Sequence, residues 1–218
     1  MNNYYNIDGV EAGVDECARG VLFGRIYGAA VVYPKEGISH ELESLINDSK
    51  KINSKNRELL YDFIKENVID YAISWVDADE VDEKGIQYAN YKVFHDSLDK
   101  LKVRPNYILV DGNRFKEYIY EEEVIPHTCI IKGDSKYKSI ACASILAKVE
   151  HDRYIRNLVN EQIDLVKYDL LNNMGYGTKK HIQAISDFGF TNYHRKSYKI
   201  KKLDYDKLSK AGSLSANI

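Results

Sequence analysis

The sequence predicts an α/β protein: a mixed β-sheet with helices packed on its faces. Three observations lead there. Runs rich in β-branched and aromatic residues come first in succession, and strand–helix alternation follows. Helical segments carry apolar stripes at 3–4 spacing. Three of the apolar runs end in acidic residues, which sets carboxylates at strand ends, where open α/β sheets gather ligands.

The first apolar run climbs into "VDECARG", so a buried strand delivers Asp15 and Glu16 at its end. Residues 24–34, "GRIYGAAVVYP", read as a second strand closed by Pro34. From Ser54 to Lys65 the pattern is helical, with Ser54 as N-cap and Arg57, Leu60, Tyr61 and Ile64 on one stripe. "VIDYAISWV", residues 68–76, is a third strand, and Tyr88 to Leu101 a helix with Tyr91, Phe94, His95 and Leu98 along one face. "NYILVDGNR", residues 106–114, runs four apolar residues straight into Asp111 and Gly112. "VIPHTCIIKGD", residues 124–134, repeats that pattern and sets Asp134 just past a strand. A long helix over 139–159 has a small-residue face of Ala141, Ala143, Ser144 and Ala147, suited to close approach to a sheet. Thr178 to Phe188 forms a last short helix, and the polar, small residues from Leu203 onward are expected to fray.

The 218 residues suffice for one well-cored domain, and a hydrophobic share of 44% with 29% charged residues is that of a globular chain. No apolar run approaches the roughly 20 residues a membrane helix needs. The N-terminus lacks the basic-then-apolar pattern of a secretory signal. Cys17, Cys129 and Cys142 are odd in number and lack C-x-x-C spacing, so reduced thiols of an intracellular protein are expected, not a zinc site or a disulfide framework. A net charge of −2 does not by itself point to nucleic acid. Its distribution says more: basic clusters at 48–57, 131–138 and 194–202 stand apart from acidic ones at 77–83 and 121–123, so one face can be positive.

Strand ends on one edge of a sheet can bring Asp15, Glu16, Asp111 and Asp134 together. Several carboxylates a few Å apart cannot all stay ionised without cations. Mg²⁺ or Mn²⁺ suits such hard oxygen ligands, and two ions can hold the attacking and leaving oxygens of a phosphodiester in line. Competing readings stand beside this one. Asp111-Gly112 equally serves as a turn, and Asp134 as a cap for the helix beginning near Ser139. Adjacent strand residues point to opposite faces, so Asp15 is the safer ligand of its pair.

Taken together, the motifs resemble those of ribonuclease HII, the bacterial and archaeal type 2 ribonuclease H. "GVDECARGV" matches its opening G-[IV]-D-E-x-G-R-G-P, and "DSKKI" its D-S-K-K. "EVDEKGI" approximates E-[IV]-D-x-x-N-I, and "VDGNR" matches its V-D-G-N strand end. "KGDSKYKSIACASILAKVEHDR" matches K-[AG]-D and the following small-residue helix. "GYGTKKH" and "HRKSY" complete the series in order over residues 13–198. The resemblance implies a ribonuclease H-like fold: a mixed five-stranded sheet flanked by helices, three strands antiparallel and the rest parallel, with a small C-terminal helical part. The catalytic domain is expected to span 1–198, and 199–218 to be a flexible tail.

It further implies an endoribonuclease that cuts the RNA strand of RNA–DNA hybrids and incises at ribonucleotides embedded in duplex DNA. The products carry 5′-phosphate and 3′-hydroxyl ends. The family's catalytic and metal-binding acids carry over to Asp15, Glu16, Asp111 and Asp134, serving a two-metal Mg²⁺ or Mn²⁺ site. Its Gly-Arg-Gly segment at the RNA–DNA junction carries over to Ala18, Arg19 and Gly20, and the tyrosine that meets the 2′-hydroxyl to Tyr176. Lys50, Lys51 and Arg195 are expected at phosphates. A cytoplasmic monomer with no membrane partner is expected. Three positions depart from the pattern: Ala18 and Val21 replace a glycine and a proline, and Gly85 an asparagine. Ala18 is expected to weaken junction recognition relative to cleavage of ribonucleotide tracts, by backbone strain if its φ is positive and otherwise by its methyl crowding the sugar. A non-catalytic nucleic-acid-binding relative would have lost one of the four acids. A junction resolvase or transposase nuclease would lack the D-S-K-K and G-Y-G-T segments.

Overall fold

Strands β1 (Glu11–Cys17), β2 (Ile26–Val32) and β3 (Asp70–Val76) form an antiparallel meander in the computed structural model, which describes residues 1–201 and Leu203. Strand β4 (Tyr107–Asp111) joins the free edge of β1 in parallel, with Val14 beside Val110. A small separate hairpin follows, β5 (Tyr118–Tyr120) with β6 (Glu123–Ile125). Strand β7 (His127–Ile130) then pairs parallel to β4, giving the sheet order β3-β2-β1-β4-β7. This is the mixed five-stranded sheet the sequence led us to expect, with β1 at its centre.

Helices cover both faces. Helix α1 (Ser54–Asn67) and the long α4 (Lys138–Glu161) lie on one, α3 (Ile86–Lys100) on the other. Alternation along β1 divides its side chains: Ala12 and Val14 join the α3 core, whereas Cys17 packs toward α4. Gly13 permits the close approach of α4, since a Cβ there would lie 2.5 Å from Ser139 Oγ and 2.6 Å from the Ile140 nitrogen. Val93, Phe94 and Leu98 on α3 are fully buried, each worth roughly 1.5–3 kcal/mol of apolar burial.

A third core lies beyond the sheet's edge. The C-terminal part of α4 gathers Phe23, Leu165, Tyr168, Leu170 of the short helix α5 (Leu170–Asn173), and Ala184 and Ile185 of α6 (Lys179–Phe188). Ile200 and Leu203 are buried in it too, so packing continues past the expected boundary at 198. The expected fraying from 204 onward falls outside the described residues. Among those described, no helix is long and apolar enough to cross a membrane.

The acidic run 77–83 lies mostly in helix α2 (Ala78–Lys84), where Asp79 and Glu80 in the first turn favour the helix dipole. Two local expectations are corrected, the cap of α1 and the single strand over 124–134. Asn53, not Ser54, caps α1, its side chain accepting from the Asn56 amide. Residues 124–134 are not one strand: Pro126, with no N–H to donate, separates β6 from β7. Asp134 follows β7 in a single 3-10 turn, Gly133–Ser135. Gly85 is the joint between α2 and α3, at φ +86°, a conformation L side chains rarely adopt.

Candidate active site

Asp15 and Asp111 occupy the carboxyl ends of neighbouring parallel strands, one step beyond the Val14–Val110 pair. Parallel pairing with this register places both carboxylates at one edge of the sheet. Asp15 is only 5% exposed and lies toward α4, within hydrogen-bonding reach of Ser144. Burial, and then the charges of Glu16 and Asp111, push its carboxyl well above the usual carboxylate range. Glu16 behaves in the same sense: burial and the charge of Asp111 raise it, while Arg19 and Lys50 pull it back. The strand alternation sends it to the opposite face, into a polar cleft shared with Arg19, Gln87, Asn90, Tyr91, Asp111 and Arg114.

Asp111 is oriented from behind. Its Oδ1 accepts from the Gly133 amide at 2.7 Å and, more weakly, from that of Asp134 at 3.4 Å. The turn that carries Asp134 is thereby tied to the end of β4. Asp134 is 8% exposed, and burial followed by the charges of Asp111 and Asp48 raises its carboxyl. The four acids thus influence one another but do not converge on a point. Among the described residues, no three His, Cys, Asp or Glu side chains group closely enough to hold one ion. The opposite facing of Asp15 and Glu16, and repulsion among like charges, account for that spacing.

Lys50 leans over the acids. Burial opposes its charge, yet Asp15, Asp48 and Asp134 lift its pKa above the usual lysine range. Lys51 is exposed and pairs loosely with Asp48 at 3.8 Å. Arg19 and Gly20 are exposed at the turn after β1. Tyr176 is 41% exposed, with Lys148 Nζ 6.0 Å from its ring centre, and burial of its other side pushes its hydroxyl up to about 12.

Two residues expected at the substrate are buried. Arg195 is 1% exposed and cannot meet a phosphate at the surface. Its Nε donates to the Gly24 carbonyl at 3.0 Å, and its Nη1 to those of Ala18 and Arg19 at 2.9 and 3.0 Å. Ala18 is 3% exposed, with φ +69°. The conformation is the one glycine favours, but the methyl lies beneath the surface, where it cannot crowd a substrate. Val21, in the proline's place, is fully buried. Sequence reasoning missed Gln87, Asn90, Tyr91 and Arg114 in the cleft; only Arg114, directly after "VDGN", carried a local signal.

Known proteins bear on this arrangement. Residues 12–201 match the family model described as ribonuclease HII. A ribonuclease HII of Christiangramia forsetii is 44% identical over 200 residues, 92% of this chain and 96% of that protein. Among solved structures, the ribonuclease H2 from Pyrococcus horikoshii OT3 superposes with a TM-score of 0.73 at 23% identity, over 96% of this chain and all of that one. A Bst-RNase HIII in complex with Mn²⁺ gives 0.64 at 18% identity, over 96% of this chain and 71% of that one.

Proposed function

The chain belongs to the ribonuclease HII family, enzymes that cut the RNA strand of RNA–DNA hybrids, and on that footing we propose that it also incises duplex DNA at single embedded ribonucleotides. One observation carries the choice of site. Asp15 is buried at the end of β1 beside Glu16 and Asp111, whose charges make its ionisation costly, and its one hydrogen-bonding side-chain partner, Ser144, is neutral. Such a surplus of negative charge suits a divalent cation.

The donor set is all carboxylate, which fits Mg²⁺ or Mn²⁺. Asp15, Glu16, Asp111 and Asp134 would share the holding of two ions, and bound metal would supply charge stabilisation and an activated water. The chain's own residues do the remaining work. The Gly133 amide fixes the rotamer of Asp111. Arg19, Lys50, Lys51 and Arg114 supply positive charge for the phosphates flanking the cut. Tyr176 offers an exposed ring for a sugar and a hydroxyl that its raised pKa keeps protonated, so that it donates to a ribose 2′-hydroxyl. Products would carry 3′-hydroxyl and 5′-phosphate ends.

A labelled DNA duplex with one ribonucleotide tests this directly. Incision with Mg²⁺ or Mn²⁺, abolished by EDTA and leaving a 3′ end that a polymerase extends, is expected. Undiminished cutting in EDTA, or none with either metal, contradicts it.

A further inference from the structure

Two buried histidines lie behind Tyr176, and the hydrogen bonds around them leave one arrangement of protons. His181 Nδ1 is 2.9 Å from the Tyr176 carbonyl oxygen, which only accepts, so Nδ1 carries the proton. In a neutral ring His181 Nε2 is then an acceptor. It faces His194 Nε2 at 3.1 Å, so that nitrogen is the donor. His194 Nδ1 must in turn accept, and two donors meet it: the Thr191 amide at 2.9 Å and the Thr191 hydroxyl at 2.8 Å. The Thr191 hydroxyl accepts from the Tyr193 amide, which leaves its proton for the histidine. Both rings are essentially inaccessible, 0% and 1% exposed, and packed among Phe23, Tyr168 and Phe190. A second proton on either ring would set N–H against N–H.

The next residue in the chain reaches the other way. Arg195 Nε and Nη1 take the carbonyls of Gly24, Ala18 and Arg19, and the Arg195 amide donates to the Leu22 carbonyl. The Leu22 amide donates to the Gly175 carbonyl, closing the circuit between the two loops. Gly175 is needed there, since a Cβ would sit 2.6 Å from the Phe23 carbonyl oxygen. Arg19 and Tyr176 therefore stand on separate loops, each fastened to one of two consecutive buried side chains.

We propose that His194 and Arg195 form a positioning clasp that holds Tyr176 and Arg19 at a fixed separation, His194 acting through a proton-ordered contact with His181 and Arg195 through the carbonyls of Ala18 and Arg19. The clasp rests on the reading that Tyr176 and Arg19 face the nucleic acid. It deepens that reading: neither clasp residue touches substrate, yet together they set the gap into which a ribonucleotide fits. Discrimination for a single ribonucleotide depends on that gap, because only one 2′-hydroxyl in the duplex satisfies it. A ribonucleotide tract offers one in many registers and tolerates a looser gap.

Two measurements on the full chain test it. Long-range ¹H–¹⁵N spectra at pH 7 are expected to show His181 as the Nδ1–H tautomer and His194 as the Nε2–H tautomer, both neutral. The opposite tautomer at either ring, or an imidazolium, overturns the relay. For function, His194→Leu removes the donor to His181, whereas His194→Gln restores an N–H at the Nε2 position. His194→Leu is expected to raise KM for the single-ribonucleotide duplex by about two- to tenfold, the worth of one hydrogen bond, with kcat within about twofold. His194→Gln is expected to recover at least half of that loss in logarithmic terms. Equal losses in both variants, or equal losses on single-ribonucleotide and tract substrates, overturn the clasp. If His194→Leu does not fold, the tautomers and the substrate ratio of His194→Gln decide. Failure of the wild-type protein to cut either substrate counts against the functional reading and leaves the tautomer result standing.

Discussion

Replacing Ala18 with glycine separates two roles that the sequence left joined, backbone conformation and substrate contact. Ala18 holds φ +69°, and relief of a left-handed alanine is worth roughly 1–2 kcal/mol. The residue is 3% exposed, so deleting its methyl loses about 0.8 kcal/mol of burial. Glycine also frees the unfolded chain, at a cost of about 0.4–1 kcal/mol. These contributions nearly cancel, and Ala18→Gly is expected to change unfolding free energy by less than about 1 kcal/mol in urea titrations. Since the backbone already adopts the required angle and the methyl is covered, the ratio of kcat/KM for single-ribonucleotide and tract substrates is expected to stay within about threefold of wild type. Of the two routes the sequence left open, strain at a positive φ and a methyl crowding the sugar, the angle of +69° meets the first and the covered methyl leaves no room for the second. A tenfold rise in that ratio would refute the burial argument and restore the methyl as a specificity element. Ala18→Val serves as the control. A β-branched residue at this φ is a backbone outlier and is expected to cost roughly 1–3 kcal/mol.

Arg195→Lys keeps the charge but cannot span the carbonyls of Gly24, Ala18 and Arg19; a loss of about 2–4 kcal/mol is expected by chemical denaturation, and a loss below about 0.5 kcal/mol would refute the brace. Gly175→Ala combines φ +82° with a 2.6 Å clash on backbone, so a drop of at least about 2 kcal/mol is expected, with a matching fall in Tm. Burial, with the charges of His181 and Lys196, pushes His194 down to about 3. The unfolded state therefore binds a proton that the folded state refuses: this stability is complete above about pH 6.5 and is lost toward pH 3 at ~1.4 kcal/mol per unit. The raised acids Glu11, Asp15, Glu16 and Asp134 slope the other way. The difference between wild type and His194→Gln isolates the histidine, and parallel pH profiles would contradict its buried neutral state.

Much of the fold was legible because its signals are local. An apolar run halted by Asp111 or by Asp15 reads as a strand end without tertiary knowledge, and those two acids do stand on adjacent strands. The gathering of the other acids was legible only in part. Alternation along β1 turns Glu16 to the opposite face from Asp15, as the pleat dictates. The segment 124–134 misled because its apolar content masked Pro126, which divides it into two strands. Arg195 shows a deeper limit. In the sequence it belongs to a basic cluster, and only the third core reveals that loops close over it. The His181–His194 contact joins residues 13 apart whose pairing depends on how α6 returns to the Phe23 segment, which no periodicity records.

The most direct test of the account compares Asp15→Asn and Asp111→Asn with wild type on a duplex carrying one ribonucleotide. Each amide keeps the size of the side chain and removes a charge from a site that already holds too many. Both variants are expected to fold with Tm equal to or above wild type, to bind the duplex, and to cut it at least about 10²-fold more slowly in Mg²⁺, the scale of a lost electrostatic contact in the transition state. Near-wild-type cutting by either variant would contradict the assignment of the sheet's carboxyl edge as the active site.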